Sequence, residues 1–340
     1  MRRPCAIAAV AALSVACGGG SQTSPSSTSG NSSSNNPFGL PAGTIAFHAA
    51  PVAPETIRFI TPLGNLNPPG HTTPTDHIYF YFADPNAGEQ PAARRTTVFV
   101  PESGTVSFLI GGQGTESKVM VSVTSNMWYY LDHVIPDIPV AVGTKVTAGQ
   151  RLGTTGLAYA MDLGLINFDA RPPGILSPAR YTDETVHGDA PLKYFVEPIR
   201  SQLYAKVQRL GTDLEGRFDY DVPGRLIGNW FYELGGTSAI SFALNTYDPS
   251  QVRIALGGIP STGVYSTAAG DPAPANVSVA SGLVKYVLTS SRTGPPLMFG
   301  DTPVGTLLVQ MLTDQRIQVE MFFGSLSANA FTGNAKFFIR

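Results

Sequence analysis

The sequence is poor in charge and in cysteine. Charged residues make up 14% of the 340 residues and the formal net charge is -2, so no basic surplus indicates a nucleic-acid partner. The two cysteines, Cys5 and Cys17, both lie near the N-terminus. The rest of the chain can therefore form neither a disulfide nor a thiolate metal site, and any metal there must be held by His, Asp or Glu side chains.

The apolar run near the N-terminus, Ala6 to Val15, is too short to span a membrane as a helix. It follows two arginines and precedes small residues, which is typical of a secretory signal peptide. Leu13 to Cys17 resembles the bacterial lipobox, whose cysteine is lipidated and becomes the mature N-terminus, although the leucine lies one position upstream of the usual pattern. We predict a lipoprotein signal over residues 1–17 with lipidation at Cys17. Ordinary signal cleavage is the alternative.

The residues that follow the signal, 18–36, are almost entirely Gly, Ser, Thr and Asn. Such a composition cannot bury apolar surface, so we predict a disordered linker over 18–39. Together with the lipobox it predicts a lipoprotein secreted across the inner membrane. We expect it in the cell envelope, in the periplasm, at the outer membrane or at the cell surface, held at a membrane by its N-terminal lipid.

The folded part is predicted to be mainly β. The chain has 36 glycines and 28 prolines, and the β-branched and aromatic runs between them favour short strands joined by tight turns. The length allows two domains. We place the first over residues 40–188 and the second over 211–340. The second is predicted as an antiparallel barrel or sandwich, with strands at Ala239 to Leu244, Val252 to Leu256 and Lys336 to Ile339 among others.

A connecting helix is predicted over residues 189–210. Within it Ile199, Leu203, Val207 and Leu210 recur at a spacing of three to four residues, which gives one apolar face.

In the second domain, the Gly-x-Trp phrase that ends at Trp230 resembles that of lipocalin-like barrels. We predict Trp230 as a core residue. A barrel that holds an apolar ligand is a further possibility.

Polar and aromatic residues concentrate in the stretch 68–82. Alternation with period two places His77, Tyr79 and Tyr81 on one face of a strand, and it places Asp76 on the opposite face. His71 precedes them in a Pro-rich turn. Imidazole and carboxylate groups together indicate a zinc site or a general acid/base. The alternative is a turn whose polar residues cap the start of a strand.

Three segments carry a resemblance to a known family: a predicted hairpin over Val140 to Gly153, a corner at Pro101 to Val106, and the Tyr-rich strand. Together they resemble the duplicated hybrid motif barrel of the lysostaphin and LytM type of zinc endopeptidases, which cut peptide cross-links in peptidoglycan. The resemblance implies a barrel-sandwich hybrid fold for the first domain.

The resemblance also implies roles for single residues. His71 and Asp76 match the first two zinc ligands, with four intervening residues where the family has three. His133, in the Tyr130 to Val134 phrase, matches a histidine that assists catalysis. The family's last motif contains two histidines, and here those positions are Asp162 and Gly164. A catalytic zinc ion needs three protein ligands, so the site is predicted to be degenerate.

We therefore expect a non-catalytic module that binds peptidoglycan or a cell-wall-associated protein, through a groove formed by His77, Tyr79 and Asp162, with no cofactor. The alternative is an active zinc metalloendopeptidase whose metal site is rebuilt from His71, Asp76, His77, His133 or Asp162. Whether the protein is an enzyme stays open at this point.

Overall fold

The computed structural model describes residues 36–84, 88–89, 95–156, 159–259, 262–291 and 299–340. The predicted signal peptide, Cys17 and most of the predicted linker lie outside this range. No helix within the described residues is both long and apolar enough to cross a membrane.

In the described residues, ten strands form the first sheet. They are β1 Phe59–Thr61, β2 His77–Tyr81, β3 Thr97–Phe99, β4 Gly104–Ile110, β5 Ser117–Ser122, β6 Met127–Pro136, β7 Lys145–Val146, β8 Arg151–Thr155, β9 Ala160–Asn167 and β10 Gly188–Asp189. The main path runs β1-β2-β9-β6-β5-β4-β7, while β8 pairs with β3 and β6, and β10 pairs with β9. The centre of the sheet therefore combines strands that are far apart in sequence.

The later strands form a closed antiparallel barrel in which each pairs with the next and β18 returns to β11. They are β11 Gly228–Tyr232, β12 Ala239–Leu244, β13 Val252–Leu256, β14 Gly263–Thr267, β15 Leu283–Ser291, β16 Phe299–Thr313, β17 Arg316–Phe323 and β18 Lys336–Ile339. The mainly β fold class is confirmed, and of the two arrangements predicted for the C-terminal part the structure has the barrel. The domain boundaries at 188 and 210 stay predictions.

The described helices are short, and the predicted helix over 189–210 is largely wrong. The two α-helices are α1 Asp183–Val186 and α2 Ile199–Tyr204. Short 3-10 turns lie at Pro54–Thr56, Pro178–Arg180, Leu192–Tyr194, Pro274–Asn276 and Val279–Ser281. On either side of α2 the backbone pairs with distant segments, Phe195 with Phe47 and Val207 with Ile60. These pairings override the local helical pattern.

The predicted hairpin over Val140 to Gly153 is also absent as a paired ladder. Its two strands, β7 and β8, pair with other strands, β7 with β4 and β8 with β3 and β6. The turns are nevertheless where the glycines predicted them, since Gly143 and Gly149 have φ values of 92° and 76°, a region that glycine adopts without strain. The segment turns twice and joins separate parts of the sheet.

Alternation along the central strands gives the sheet one apolar face. The side chains on that face, with neighbours from other segments, form the larger core, which includes Ile60, Ile78, Phe80, Val119, Val121, Tyr129, Leu131, Met161, Leu163 and Leu165. A second core fills the barrel. Trp230 is fully buried there and donates its indole N–H to the carbonyl of Leu226 at 2.8 Å, so its prediction as a core residue is confirmed.

Candidate functional site

The opposite face of the first sheet carries polar side chains, and cross-strand pairing aligns them in two rows. In one row, His77 of β2, Gly164 of β9 and Tyr130 of β6 are direct neighbours. In the next row, Tyr79, Asp162 and Asp132 are neighbours in the same way. We call this surface of β2, β9 and β6 the site face. It exists because residues two apart on a strand share a face while their sequence neighbours enter the core.

Asp76 joins the site face, although alternation predicted it on the other side. It lies just before β2, which begins at His77, so the strand alternation does not apply to it. Its Oδ1 accepts hydrogen bonds from His77 Nδ1 at 2.9 Å and from the Tyr130 hydroxyl at 3.1 Å. Its Oδ2 accepts one from the hydroxyl of Thr185. Burial raises its pKa, but the bonds from His77 and Thr185 and the positive charges of His77 and Lys118 outweigh that effect and bring the pKa to about 2.

Sequence reasoning assigned no role to Tyr130. It is 2% exposed, and its hydroxyl lies 3.1 Å from both Asp76 Oδ1 and His77 Nδ1. Its position in the phrase that resembles the family motif, and alternation, which puts it on the same face as Asp132, were the sequence signals for Tyr130. These signals could not show that the ring crosses an intervening strand to reach β2.

His71 reaches the same cluster from its turn. Its backbone pairs with Asn67, and its ring centroid lies 5.3 Å from that of His77 and 6.2 Å from that of Tyr79. Burial and the positive charge of His77 lower the pKa of His71 from 6.5 to about 4. His71 is therefore neutral at pH 7.

His133 reaches the site face through a β-bulge. Between β5 and β6 the register shifts so that β6 holds one extra residue, and His133 there has a φ of 59°. Bulges of this kind turn a side chain away from its expected face. His133 Nδ1 lies 2.6 Å from Glu116 Oε1 and its Nε2 lies 3.7 Å from Asp162 Oδ2. The extra residue of β6 thus lies in the bulge, which places His133 beside Asp162.

Asp162 is the carboxylate at the centre of this arrangement. It is 4% exposed, and its Oδ2 lies 3.7 Å from Nε2 of both His77 and His133. Its Oδ1 is buried with no hydrogen-bond partner among the described residues. Burial raises the pKa of Asp162, against the charges of His77 and His133. Burial lowers the pKa of each histidine, but their carboxylate partners outweigh it and raise both pKa values.

Helix α1 lies across one end of the site face. Thr185 bonds to Asp76, and Glu184 forms an ion pair with Lys118 at 2.6 Å. The ammonium group of Lys118 also lies 4.0 Å from the centre of the Tyr130 ring. No sequence pattern had linked this short segment to the site, because the contact depends on a chain separation of 109 residues between Asp76 and Thr185.

The predicted site residues His71, Asp76, His77, Tyr79, His133 and Asp162 thus lie on or beside one face, and their individual roles stay predictions. As placed here they do not fit a zinc ion. Both oxygens of Asp76 accept hydrogen bonds. Gly164, which the resemblance aligns with a third zinc ligand, offers no side chain and has the Tyr130 ring beside it. Within the described part of the chain, no three His, Cys, Asp or Glu side chains are grouped so that they could hold a metal ion.

No protein-family model matches the sequence, and no curated protein is similar enough to count as a match.

Several solved structures match part of the chain. Csd3 from Helicobacter pylori is 14% identical with a TM-score of 0.30, over 45% of this chain and 35% of that one. A zinc-containing peptidase from Vibrio cholerae is 19% identical with a TM-score of 0.27, over 36% and 37%. The catalytic domain of the M23 protein EnpA from Enterococcus faecalis is 20% identical with a TM-score of 0.25, over 37% and 88%. This chain spans about a third of the length of the first two.

Proposed function

We propose that this protein is a lipid-anchored component of a bacterial cell envelope and that its site face binds peptidoglycan, or a protein associated with it, without cleaving it. The sequence motifs that resemble the lysostaphin and LytM type of endopeptidases support the choice of peptidoglycan. The signal and lipobox that end at Cys17 support the location.

The observation that carries the binding proposal is the state of Asp162. This carboxylate is almost fully buried, stands between two imidazoles, and keeps one oxygen, Oδ1, without a hydrogen-bond donor in the described chain. An unsatisfied buried acceptor is costly, so a ligand that moves the neighbouring side chains apart and donates a hydrogen bond to Oδ1 removes this cost. Tyr79, which is buried, lies next to it across the strand pair, and its hydroxyl lies 3.0 Å from His77 Nε2.

Two positions favour binding over hydrolysis. The family that the motifs resemble has histidines where this chain has Asp162 and Gly164. Without an imidazole at the second position the third protein ligand of a catalytic zinc ion is missing. The alternative, an active zinc endopeptidase with a rearranged site, would require His71, His77 or His133 to leave the contacts described above.

Retention on insoluble peptidoglycan tests the proposal. We expect the mature protein, purified in detergent, to sediment with isolated cell-wall sacculi. Asp162→Asn keeps the shape of the side chain but removes its charge. We expect the affinity for sacculi to fall by about tenfold, which corresponds to the free energy of one hydrogen bond to a charged group. Asp314→Asn, at an exposed position on the barrel, serves as the matched control and should leave retention unchanged.

Two results would contradict the proposal in different ways. If wild-type protein does not sediment with sacculi, the binding claim is wrong. If the purified protein contains one zinc ion per chain and solubilises the sacculi, and both properties are lost on treatment with a chelator, the active peptidase is the correct function.

A further inference from the structure

The first row of the site face has a gap at its centre. Tyr130, Gly164 and His77 are direct cross-strand neighbours on β6, β9 and β2. Adjacent strands lie about 4.8 Å apart, so β6 and β2 are separated by roughly 10 Å. Three ordinary side chains in such a row would stand next to one another. Because Gly164 has no side chain, the space above the middle strand is open to a neighbour.

The ring of Tyr130 occupies that space. A Cβ atom at position 164 would overlap the ring and lie 2.5 Å from the hydroxyl oxygen of Tyr130. No side chain approaches another group so closely without a shift, so any residue larger than glycine at this position must displace the tyrosine. Displacement is difficult because Tyr130 is buried, with Lys118 above its ring.

The hydroxyl of Tyr130 takes over contacts that would otherwise require another partner. It lies 3.1 Å from Asp76 Oδ1 and 3.1 Å from His77 Nδ1. A buried carboxylate needs a cation or hydrogen-bond donors to offset its desolvation. Here the phenol, the imidazole and the Thr185 hydroxyl supply that compensation.

We propose that Tyr130 and Gly164 act as a pair that excludes a metal ion from this site and replaces its structural contribution. The glycine provides the space, the ring fills it, and the hydroxyl holds Asp76 and His77 together. This inference is independent of which ligand the site face binds, because it concerns only how the site is kept ordered.

The pair predicts a specific pattern of metal affinities. Wild-type protein should bind Zn²⁺ or Co²⁺ weakly because the tyrosine fills the site. Gly164→His should also bind them weakly, because the new imidazole and the Tyr130 ring compete for the same space. Tyr130→Ala combined with Gly164→His frees the space and adds an imidazole beside Asp76. Loss of even an outer partner of a metal site typically weakens binding by roughly 10- to 100-fold, so a new direct ligand should strengthen it by at least that factor. Calorimetric titration and the visible absorption of Co²⁺ measure the change.

Stability provides a second pattern. Gly164→His alone should lower the melting temperature because its side chain overlaps the ring. Adding Tyr130→Ala should recover part of that loss, whereas two independent sites would show additive losses. Tyr130→Phe keeps the ring but removes the hydroxyl, so it should also lower the melting temperature, and it should not raise metal affinity.

Four outcomes would overturn the proposal. The first is one tightly bound Zn²⁺ per wild-type chain. The second is a folded double variant whose affinity for Zn²⁺ equals that of wild type. The third is a Gly164→His variant that melts at the wild-type temperature. The fourth is a Tyr130→Phe variant with the wild-type melting temperature, which would refute the role of the hydroxyl. This variant tests the proposal even if the double variant does not fold.

Discussion

Acidification should destabilise this protein through His71. The pKa of His71 falls from 6.5 to about 4 because of its burial and the nearby charge of His77. The unfolded chain therefore takes up a proton near pH 6.5, while the folded protein takes it up only near pH 4. Between these values the unfolded state binds more protons, and stability falls as the pH falls.

The magnitude follows from the two pKa values. Each unit of pKa shift corresponds to about 1.4 kcal/mol, and at about pH 5 most of this shift has taken effect. His71 should then lower the free energy of unfolding by about 2 kcal/mol relative to about pH 7.5. Because the side chain is partly exposed, solvent screening makes this value an upper estimate.

His77 and His133 act in the opposite direction. Their pKa values are raised in the folded protein, so their contributions to stability are present at low pH and are lost as the pH rises through the raised values. The contribution of His71 must therefore be isolated by comparison with a variant, and His71→Asn serves because it keeps a polar side chain that does not titrate.

The assay is urea unfolding of wild type and His71→Asn, in the presence of a chelator, at about pH 7.5 and about pH 5. The difference in free energy of unfolding between the two proteins should move by about 2 kcal/mol in favour of the variant at the lower pH. If that difference stays constant within about 0.5 kcal/mol, the placement of His71 in the buried cluster is wrong.

Two further predictions concern the barrel and the anchor. Arg340 is buried and donates to the backbone carbonyls of Val222, Arg225 and Ile227. It also lies 4.1 Å from the centre of the Trp230 ring and pairs with Asp221, so Arg340→Ala should cost about 3 to 5 kcal/mol of unfolding free energy. The partly exposed pair of Arg316 with Glu233 gives the control, since Arg316→Ala should cost less than about 1 kcal/mol. Equal losses of unfolding free energy in the two variants would contradict this prediction. Cys17→Ser should abolish incorporation of labelled fatty acid and release the protein from membranes. Undiminished labelling of this variant would exclude Cys17 as the lipid acceptor.

Much of the barrel could be predicted from sequence. The strands expected at Ala239 to Leu244, Val252 to Leu256 and Lys336 to Ile339 have the observed bounds. Their alternation and the turn residues that flank them are local signals. The helix expected over 189–210 is largely absent because the residues beside α2 pair with Phe47 and Ile60. A local sequence pattern contains no information on such distant partners.

The same sequence reasoning predicted only part of the site. Residue chemistry singled out His71 and His77, and the family resemblance singled out His133 and Asp162. The structure brings the four side chains together. Alternation misplaced Asp76, which lies outside the strand, and it could not show the bulge that turns His133 toward Asp162. Thr185 and Lys118 carried no signal at all.

The sequence by itself determined the mainly β character, the alternation along β2, and the Asp and Gly at positions 162 and 164, where the family that the motifs resemble has histidines. All three depend on residue identity and on spacing within a few residues. Only the tertiary structure decided that Gly164 lies between Tyr130 and His77, and therefore that the Tyr130 ring fills the space above the glycine. That contact is set by the register of three strands that are distant in sequence, and register depends on the packing of the whole sheet.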